Sequence, residues 1–279
     1  MLDRALMTAT PKLDDLIALA LAAGREILAV RDAGFRAEKK LDGSLVTLAD
    51  QRAEALIEAE LARMAPGVPM LGEEAAAAGR IPELRERFFC VDALDGTRGF
   101  VRGGDEFTVN IALVEDGAPT MGVVFAPAGG DLYAGAHGRA LAGRFDGRTG
   151  AILNGLCPIR ALSQPPTQWR IVASDFSGRN ERTQAFIHAL GGAVSHASSS
   201  IKFCRIAEGA AELYPRFGDV SEWDIAAGHA VLTAAGGGAM TLEGRPMAYG
   251  GSGESFLVHG FIAYANSAAR EAALAAITR

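Results

Sequence analysis

The chain has 279 residues, 49% hydrophobic and 22% charged, with 33 acidic against 27 basic residues and a formal net charge of −6. That supplies enough apolar material for one large or two ordinary domains and excludes an intrinsically disordered chain. No block of Lys or Arg occurs, which excludes the electrostatic footprint of a protein that binds polymeric nucleic acid.

Pro11 opens a helical pattern, with Leu13, Leu16, Ile17, Ala20, Leu21, Ile27 and Leu28 at three- and four-residue steps. The early apolar stretch 16–23 is broken by Gly24-Arg25-Glu26 and is too short to span a bilayer. The opening Met1-Leu2-Asp3-Arg4 lacks the charged-then-apolar order of a signal peptide. Cys90, Cys157 and Cys204 match neither a disulfide framework nor the spacing of a zinc site. A cytoplasmic location is expected, with peripheral attachment to the inner membrane face left open and no integral membrane segment.

A turn and short strand across 40–50 leads into a second amphipathic helix, predicted over 49–64, with Ala53, Leu56, Ile57, Leu61 and Met64 on one face. Asp50 then falls near a helix start, where a carboxylate is electrostatically favoured. From 88 to 136 the signal changes to strands. The runs 107–114 and 120–127 flank the turn residues 115–119, and a third strand follows at 131–136, implying an antiparallel sheet. Ser163-Gln164-Pro165-Pro166 is the best candidate boundary, dividing the chain into domains 1–160 and 161–279. Beyond it, strand-like 169–173, helical 179–190 and 200–209, strand-like 212–214, helical 223–235 and strand-like 256–264 alternate as in an α/β unit.

The apolar run Phe88-Phe89-Cys90-Val91 ends in Asp92, as in a buried strand that delivers a carboxylate to a sheet edge. Three residues on, Asp95 precedes Gly96-Thr97, a chain reversal whose backbone N–H groups can receive an anion. Glu73-Glu74 and Asp224, like this pair, lie at predicted junctions between elements against small or apolar neighbours. Such junctions commonly present catalytic groups. Each carboxylate has a plainer reading: a turn for Asp92-x-x-Asp95, a solvated loop entrance for Glu73-Glu74, a helix-dipole partner for Asp224 and a helix cap for Asp50. Hard cations such as Mg²⁺ take oxygen ligands and share them with substrate phosphates, so the set points to metal-assisted phosphate-ester hydrolysis. Ser198-Ser199-Ser200 ahead of Ile201-Lys202 reads as a polar cap that can hold a second phosphate, with Arg216 closing on it. The plainer alternative is a serine cap, a snorkelling Lys202 and an Arg216–Asp219 surface pair.

Gly72-Glu73-Glu74, Asp92-Ala93-Leu94-Asp95-Gly96-Thr97 and Trp223-Asp224-Ile225-Ala226-Ala227-Gly228 together resemble the inositol monophosphatase superfamily of Mg²⁺-dependent phosphatases. The stretch 198–218, with Glu106-Phe107-Thr108-Val109-Asn110 and Glu254-Ser255-Phe256-Leu257, looks more like its bisphosphate nucleotidase branch. The resemblance covers roughly residues 40 to 265. It implies a layered αβαβα sandwich, with an N-terminal antiparallel-sheet half, a C-terminal α/β half and the site between them. It implies two or three Mg²⁺ ions held by Glu73, Asp92, Asp95, Asp224 and the Leu94 carbonyl, with Gly96 and Thr97 N–H groups on the scissile phosphate. Asp50, Thr97 and Glu73 are the implied catalytic residues, orienting a metal-activated water, and Ser199, Lys202 and Arg216 the implied contacts of an uncleaved phosphate. Sensitivity to Li⁺ is implied as well. The implied reaction converts adenosine 3′,5′-bisphosphate to AMP and phosphate, a step tied to sulfur assimilation. An inositol or sugar phosphatase and a non-catalytic metal or nucleotide sensor are the alternatives. The partner is a small phosphorylated molecule, with a homodimer left open. Four departures from the family pattern stand out: Ala93 in place of Pro, Arg98-Gly99 in place of Lys-Glu, Gly72 in place of Ser, and Ser174-Asp175, which brings a carboxylate where a basic residue or His is usual.

Overall fold

Thr47 begins the architecture that matters most for the site: its hydroxyl accepts the Ala49 N–H at 3.1 Å while its own N–H donates to Asp50 at 2.7 Å. This reciprocal capping box fixes where the second helix starts. In the computed structural model, residues 11–40, 43, 45–174, 180–251 and 256–277 are described. Asp175 and Glu254-Ser255, singled out above, lie outside them.

The helices are α1 (Leu13–Ala33), α2 (Leu48–Met64), α3 (Glu73–Ala77), α4 (Thr97–Val101), α5 (Glu181–Leu190), α6 (Ile201–Ala207), α7 (Glu222–Ala234) and α8 (Ser267–Ile277). The N-terminal strands are β1 (Ala37–Lys39), β2 (Leu45–Thr47), β3 (Met70–Gly72), β4 (Arg87–Asp95), β5 (Thr108–Glu115), β6 (Ala118–Phe125), β7 (Asp131–Ala136), β8 (Arg139–Phe145) and β9 (Ile152–Ile159). The C-terminal strands are β10 (Arg170–Ala173), β11 (Ala193–His196), β12 (Leu213–Arg216), β13 (Val220–Ser221), β14 (Gly238–Thr241), β15 (Leu257–Val258) and β16 (Phe261–Tyr264).

β3 to β9 form a seven-stranded sheet in chain order, antiparallel except where β3 runs parallel to β4. Asp116 and Gly117 both take positive φ, giving the tight turn that an Asp-Gly pair favours between β5 and β6. A second sheet has the order β11-β10-β12-β16-β14, with parallel pairing around β10 and antiparallel pairing around β16. α1 and α2 bury Leu16, Ala20, Ile27, Ala53 and Ile57 against one face of the large sheet, with Phe89, Val91 and Ile111 opposite. α6 and α7 fill the space between the two sheets, and α7 is buried along nearly its whole length, as a helix apolar on all sides requires. α5 and α8 cover the outer face of the small sheet. The layers therefore run αβαβα, as expected.

Seven of the described strands were not anticipated, β1, β3, β8, β9, β11, β13 and β14, and one expected strand is divided. The run 256–264 turns at His259-Gly260, so that β15 pairs with β13 while β16 joins the small sheet. Among the described residues, no helix is long and apolar enough to cross a membrane.

Candidate active site

The two aspartates of β4 share one side of the strand because of a bulge. In a regular strand, residues three apart point to opposite faces. Here Asp92 pairs with Asn110 and Asp95 with Thr108, so three steps on β4 answer two on β5. One extra residue restores a common face. Asp92 is 3% exposed, and its Oδ1 accepts the Leu94 N–H at 2.9 Å, which tightens the bulge.

β3 lies beside β4 with Gly72 opposite Val91, so the first residue of α3, Glu73, emerges next to Asp92. α7 brings Asp224 in from the other side, in its first turn. Carboxylate oxygens of Glu73, Asp92 and Asp224 lie within 4.8 Å of one another. Asp95 stands outside that trio but lines the same cleft, where burial raises its carboxyl pKa against the pull of Lys202.

This arrangement is electrostatically expensive. Burial, reinforced by Glu73, Asp95 and Asp224, pushes the Asp92 carboxyl well above the usual carboxylate range. Burial, then Asp95 and Glu73, does the same to Asp224. Burial raises Glu73 too, against the pull of Lys40. Like charges gathered in a low-dielectric site favour protonation unless a cation compensates. The donor set is all oxygen, which fits Mg²⁺ or a similar hard cation and not a soft metal.

One compensating cation is already present. Lys40 Nζ sits 2.7 Å from both Glu73 and Glu74, with only 8% of its side chain exposed. Burial works against its charge, but Glu73 and Glu74 outweigh burial and hold its pKa above the ordinary lysine value.

Asp50 and Thr97 meet at the floor of the cleft. The Thr97 hydroxyl lies 3.0 Å from Asp50 Oδ1 and 3.1 Å from the Leu94 carbonyl. Its single proton goes preferentially to the charged acceptor. Asp50 is 2% exposed, with burial raising its pKa against bonds from Thr47 and Thr97. Its helix-capping contact with Thr47 and its hydrogen bond from Thr97 thus coexist, one on each carboxylate oxygen. Gly96, just before Thr97, has φ +100; a Cβ there would stand 2.9 Å from the Glu106 carbonyl and 3.1 Å from Ser199 Oγ.

The three serines do not act as the expected helix cap. Ser198 Oγ donates to Glu106, Ser199 Oγ donates to the Asp95 carbonyl at 3.3 Å, and Ser200 Oγ donates to the Asp224 carbonyl. Each joins the start of α6 to a site element, and Ser199 holds a positive φ of 52° to do so. Lys202, 4% exposed, donates to the Ser199 carbonyl at 2.7 Å and lies over the Tyr214 ring. Arg216 donates to the Gly218 and Asp219 carbonyls, at 3.2 and 2.7 Å, so the surface pair with the Asp219 carboxylate is replaced by backbone contacts. Asp50's partner Thr97, the four metal-type carboxylates, Gly96, Leu94, Ser199, Lys202 and Arg216 all line one cleft of about 970 Å³, within the usual range for small-molecule sites.

Sequence reasoning missed Lys40 and Glu54. Nothing local marks Lys40. Glu54 had a signal: it is an acid one turn from Asp50, between the buried Ala53 and Ile57 of α2.

The inositol monophosphatase family model matches residues 11–279. The chain is 38% identical over 257 residues to the 3′(2′),5′-bisphosphate nucleotidase CysQ of Shigella flexneri, covering 89% of this chain and 98% of that protein. It is 34% identical over 251 residues to a histidinol-phosphatase of Mycobacterium tuberculosis, covering 86% and 92%. The crystal structure of CysQ from Bacteroides thetaiotaomicron superposes with a TM-score of 0.72 at 34% identity, covering 91% of this chain and 96% of that one.

Proposed function

The chain belongs to the inositol monophosphatase family, and from that premise we propose that it is a Mg²⁺-dependent phosphomonoesterase that hydrolyses the 3′-phosphate of adenosine 3′,5′-bisphosphate to AMP and phosphate. The observation that carries this reading is the gathering of Glu73, Asp92 and Asp224 oxygens within 4.8 Å, in the cleft that also holds the Asp50–Thr97 pair. Glu73, Asp92, Asp95, Asp224 and the Leu94 carbonyl would hold two or three cations. When bound, these supply charge neutralisation for the phosphate and a lowered pKa for water.

The remaining work falls to the chain's own groups. With its proton committed to Asp50, the Thr97 hydroxyl turns a lone pair toward the cleft and accepts a hydrogen bond from the attacking water. Asp50 is the buried acceptor at the end of that relay, and Glu73 flanks the same water. The Gly96 and Thr97 N–H groups face the scissile phosphate, where rigid donors stabilise developing charge. Phosphoryl transfer depends more on such positioning than on covalent participation. Ser199, Lys202 and Arg216 form the basic end of the cleft and suit the phosphate that is not cleaved.

All of these groups come from one chain, so the chemistry does not require a homodimer. Units 1–160 and 161–279 supply the two walls of the cleft. The three unpaired cysteines accord with a reducing cytoplasm.

A competing reading has support in the histidinol-phosphatase relative: hydrolysis of a monophosphate on the same scaffold. Phosphate release with Mg²⁺ from adenosine 3′,5′-bisphosphate, inositol 1-phosphate and histidinol phosphate decides between them, using the unsubstituted enzyme and the Lys202→Ala, Arg216→Ala double variant. Preferred cleavage of the bisphosphate, lost in the double variant, is expected. Equal rates on all three, or a double variant with unchanged nucleotide activity, would overturn the nucleotide assignment.

A further inference from the structure

α3 has no cap of its own. Gly72 precedes it without a side chain, and the first backbone donors of the helix need another acceptor. They find it on α2. Glu54 Oε2 accepts the Glu74 N–H at 2.8 Å and Oε1 accepts the Ala75 N–H at 2.7 Å, on a side chain only 3% exposed. The approach is close: a Cβ on Gly72 would fall 2.8 Å from the Glu54 carboxyl carbon and 2.9 Å from each of its oxygens. Glycine at 72 is therefore what lets the carboxylate reach the backbone of α3.

The placement of Glu54 is informative. It is one helical turn after Asp50, so one rigid segment of α2 holds Thr97 with its first acid and the backbone around Glu73 with its second. We propose that Glu54 is a positioning residue for the metal site: its carboxylate locks the first turn of α3 so that the Glu73 side chain meets Asp92 and Asp224. The inference rests on the metal-site reading above and extends it to a residue that touches neither metal nor substrate. Partners that orient a ligand from behind commonly change metal affinity by about 10–100-fold when altered. A merely structural acid would change stability alone.

The test is Mn²⁺ binding by calorimetry on the full chain, alongside Mg²⁺ activation and thermal unfolding, for Glu54→Gln, Gly72→Ala and the double variant. Glutamine keeps the shape but turns an N–H donor toward one of the two backbone N–H groups. Each single variant is expected to weaken Mn²⁺ binding about tenfold or more and to raise the Mg²⁺ needed for half-activation, while KM at saturating Mg²⁺ stays within about twofold. Because Gly72→Ala acts by displacing the same carboxylate, the double variant should lose little beyond either single one. Glu54→Gln with unchanged Mn²⁺ affinity, or single losses that simply multiply in the double variant, would overturn the inference. Failure of the unsubstituted chain to bind Mn²⁺ would instead overturn the metal-site reading, and this inference with it.

Discussion

Thr97 and Asp50, 47 positions apart in the chain, are joined by a 3.0 Å hydrogen bond whose acceptor is almost fully buried. The bond leaves the threonine oxygen with a free lone pair on the cleft side, which is what an orienting group for water needs. Replacing Thr97 by Val, or Asp50 by Asn, should therefore lower kcat by about 10²–10⁴-fold with little change in KM. Thr97→Ser should retain most activity. Asn at 50 keeps an acceptor for the Thr47 N–H, so the loss of stability should be no more than about 1 kcal/mol. Steady-state kinetics with parallel denaturant unfolding checks both halves; a Thr97→Val enzyme with unaltered kcat would remove Thr97 from the chemistry.

Lys40 bears on how readily the site loads. Its ammonium neutralises Glu73 and Glu74 in the metal-free protein, and an incoming cation must compete with that pairing. Because removing one partner of a buried ion pair leaves the other charges uncompensated, Lys40→Met should tighten Mg²⁺ binding severalfold and destabilise the protein in EDTA. Calorimetric titration with Mg²⁺ measures this directly. Weaker Mg²⁺ binding in Lys40→Met would mean that the lysine assists the loaded site.

The clustered acids also set how the metal-free protein responds to pH. Burial, the largest influence, pushes Glu74 up from about 4.5 to about 7 against the pull of Lys40, and it raises Glu73, Asp92 and Asp224 as well. A carboxyl with a higher pKa when folded holds protons that the unfolded chain releases, so stability falls as pH rises between the two values. In EDTA, Tm should drop by several degrees from about pH 5 to about pH 7.5. Mg²⁺ should raise Tm most at the upper end, because it binds the deprotonated site. Thermal unfolding at both pH values, with and without Mg²⁺, tests the sign; a Tm in EDTA that rises over this range would contradict it.

What the sequence made legible depended on whether a signal was local. Asp92, Asp95 and Gly96-Thr97 follow a buried run and precede a chain reversal, so their type and place could be read directly. That the two aspartates share a side could not, because the bulge appears only in the pairing with β5. The same limit hid the route from Glu54 to α3 and from Lys40 to Glu73, contacts that join separate elements. β9 escaped notice because it is an exposed edge strand with no buried alternation to betray it. β8 follows a His137-Gly138 turn with both residues at positive φ, where histidine gives a weaker cue than the Asp116-Gly117 pair between β5 and β6. The serines at 198–200 were legible as polar residues before a helix, yet their hydroxyls are directed to Glu106, Asp95 and Asp224.

Lys202 supplies a test of substrate class that does not depend on comparing unlike substrates. Its pKa is lowered to about 8, chiefly by burial, with Asp95 opposing and Arg216 adding to the shift. Below that value the free enzyme presents an ammonium to the second phosphate; above it, a neutral amine. Since kcat/KM reports ionisations of the free enzyme, its value for adenosine 3′,5′-bisphosphate should fall on an alkaline limb well below the ordinary lysine range, and lower still where bound Mg²⁺ neutralises Asp95. Bound phosphate favours the charged lysine, so the corresponding limb in kcat should lie at higher pH. Lys202→Met should abolish the limb and lower kcat/KM at neutral pH by roughly 10–150-fold, the loss expected for a charge-assisted hydrogen bond of about 1.5–3 kcal/mol. With inositol 1-phosphate, which has no second phosphate, the same substitution should change neither the limb nor the rate by more than about twofold. Equal sensitivity of both substrates to Lys202→Met would place the lysine at the scissile phosphate instead, and the basic end of the cleft would no longer select a bisphosphate.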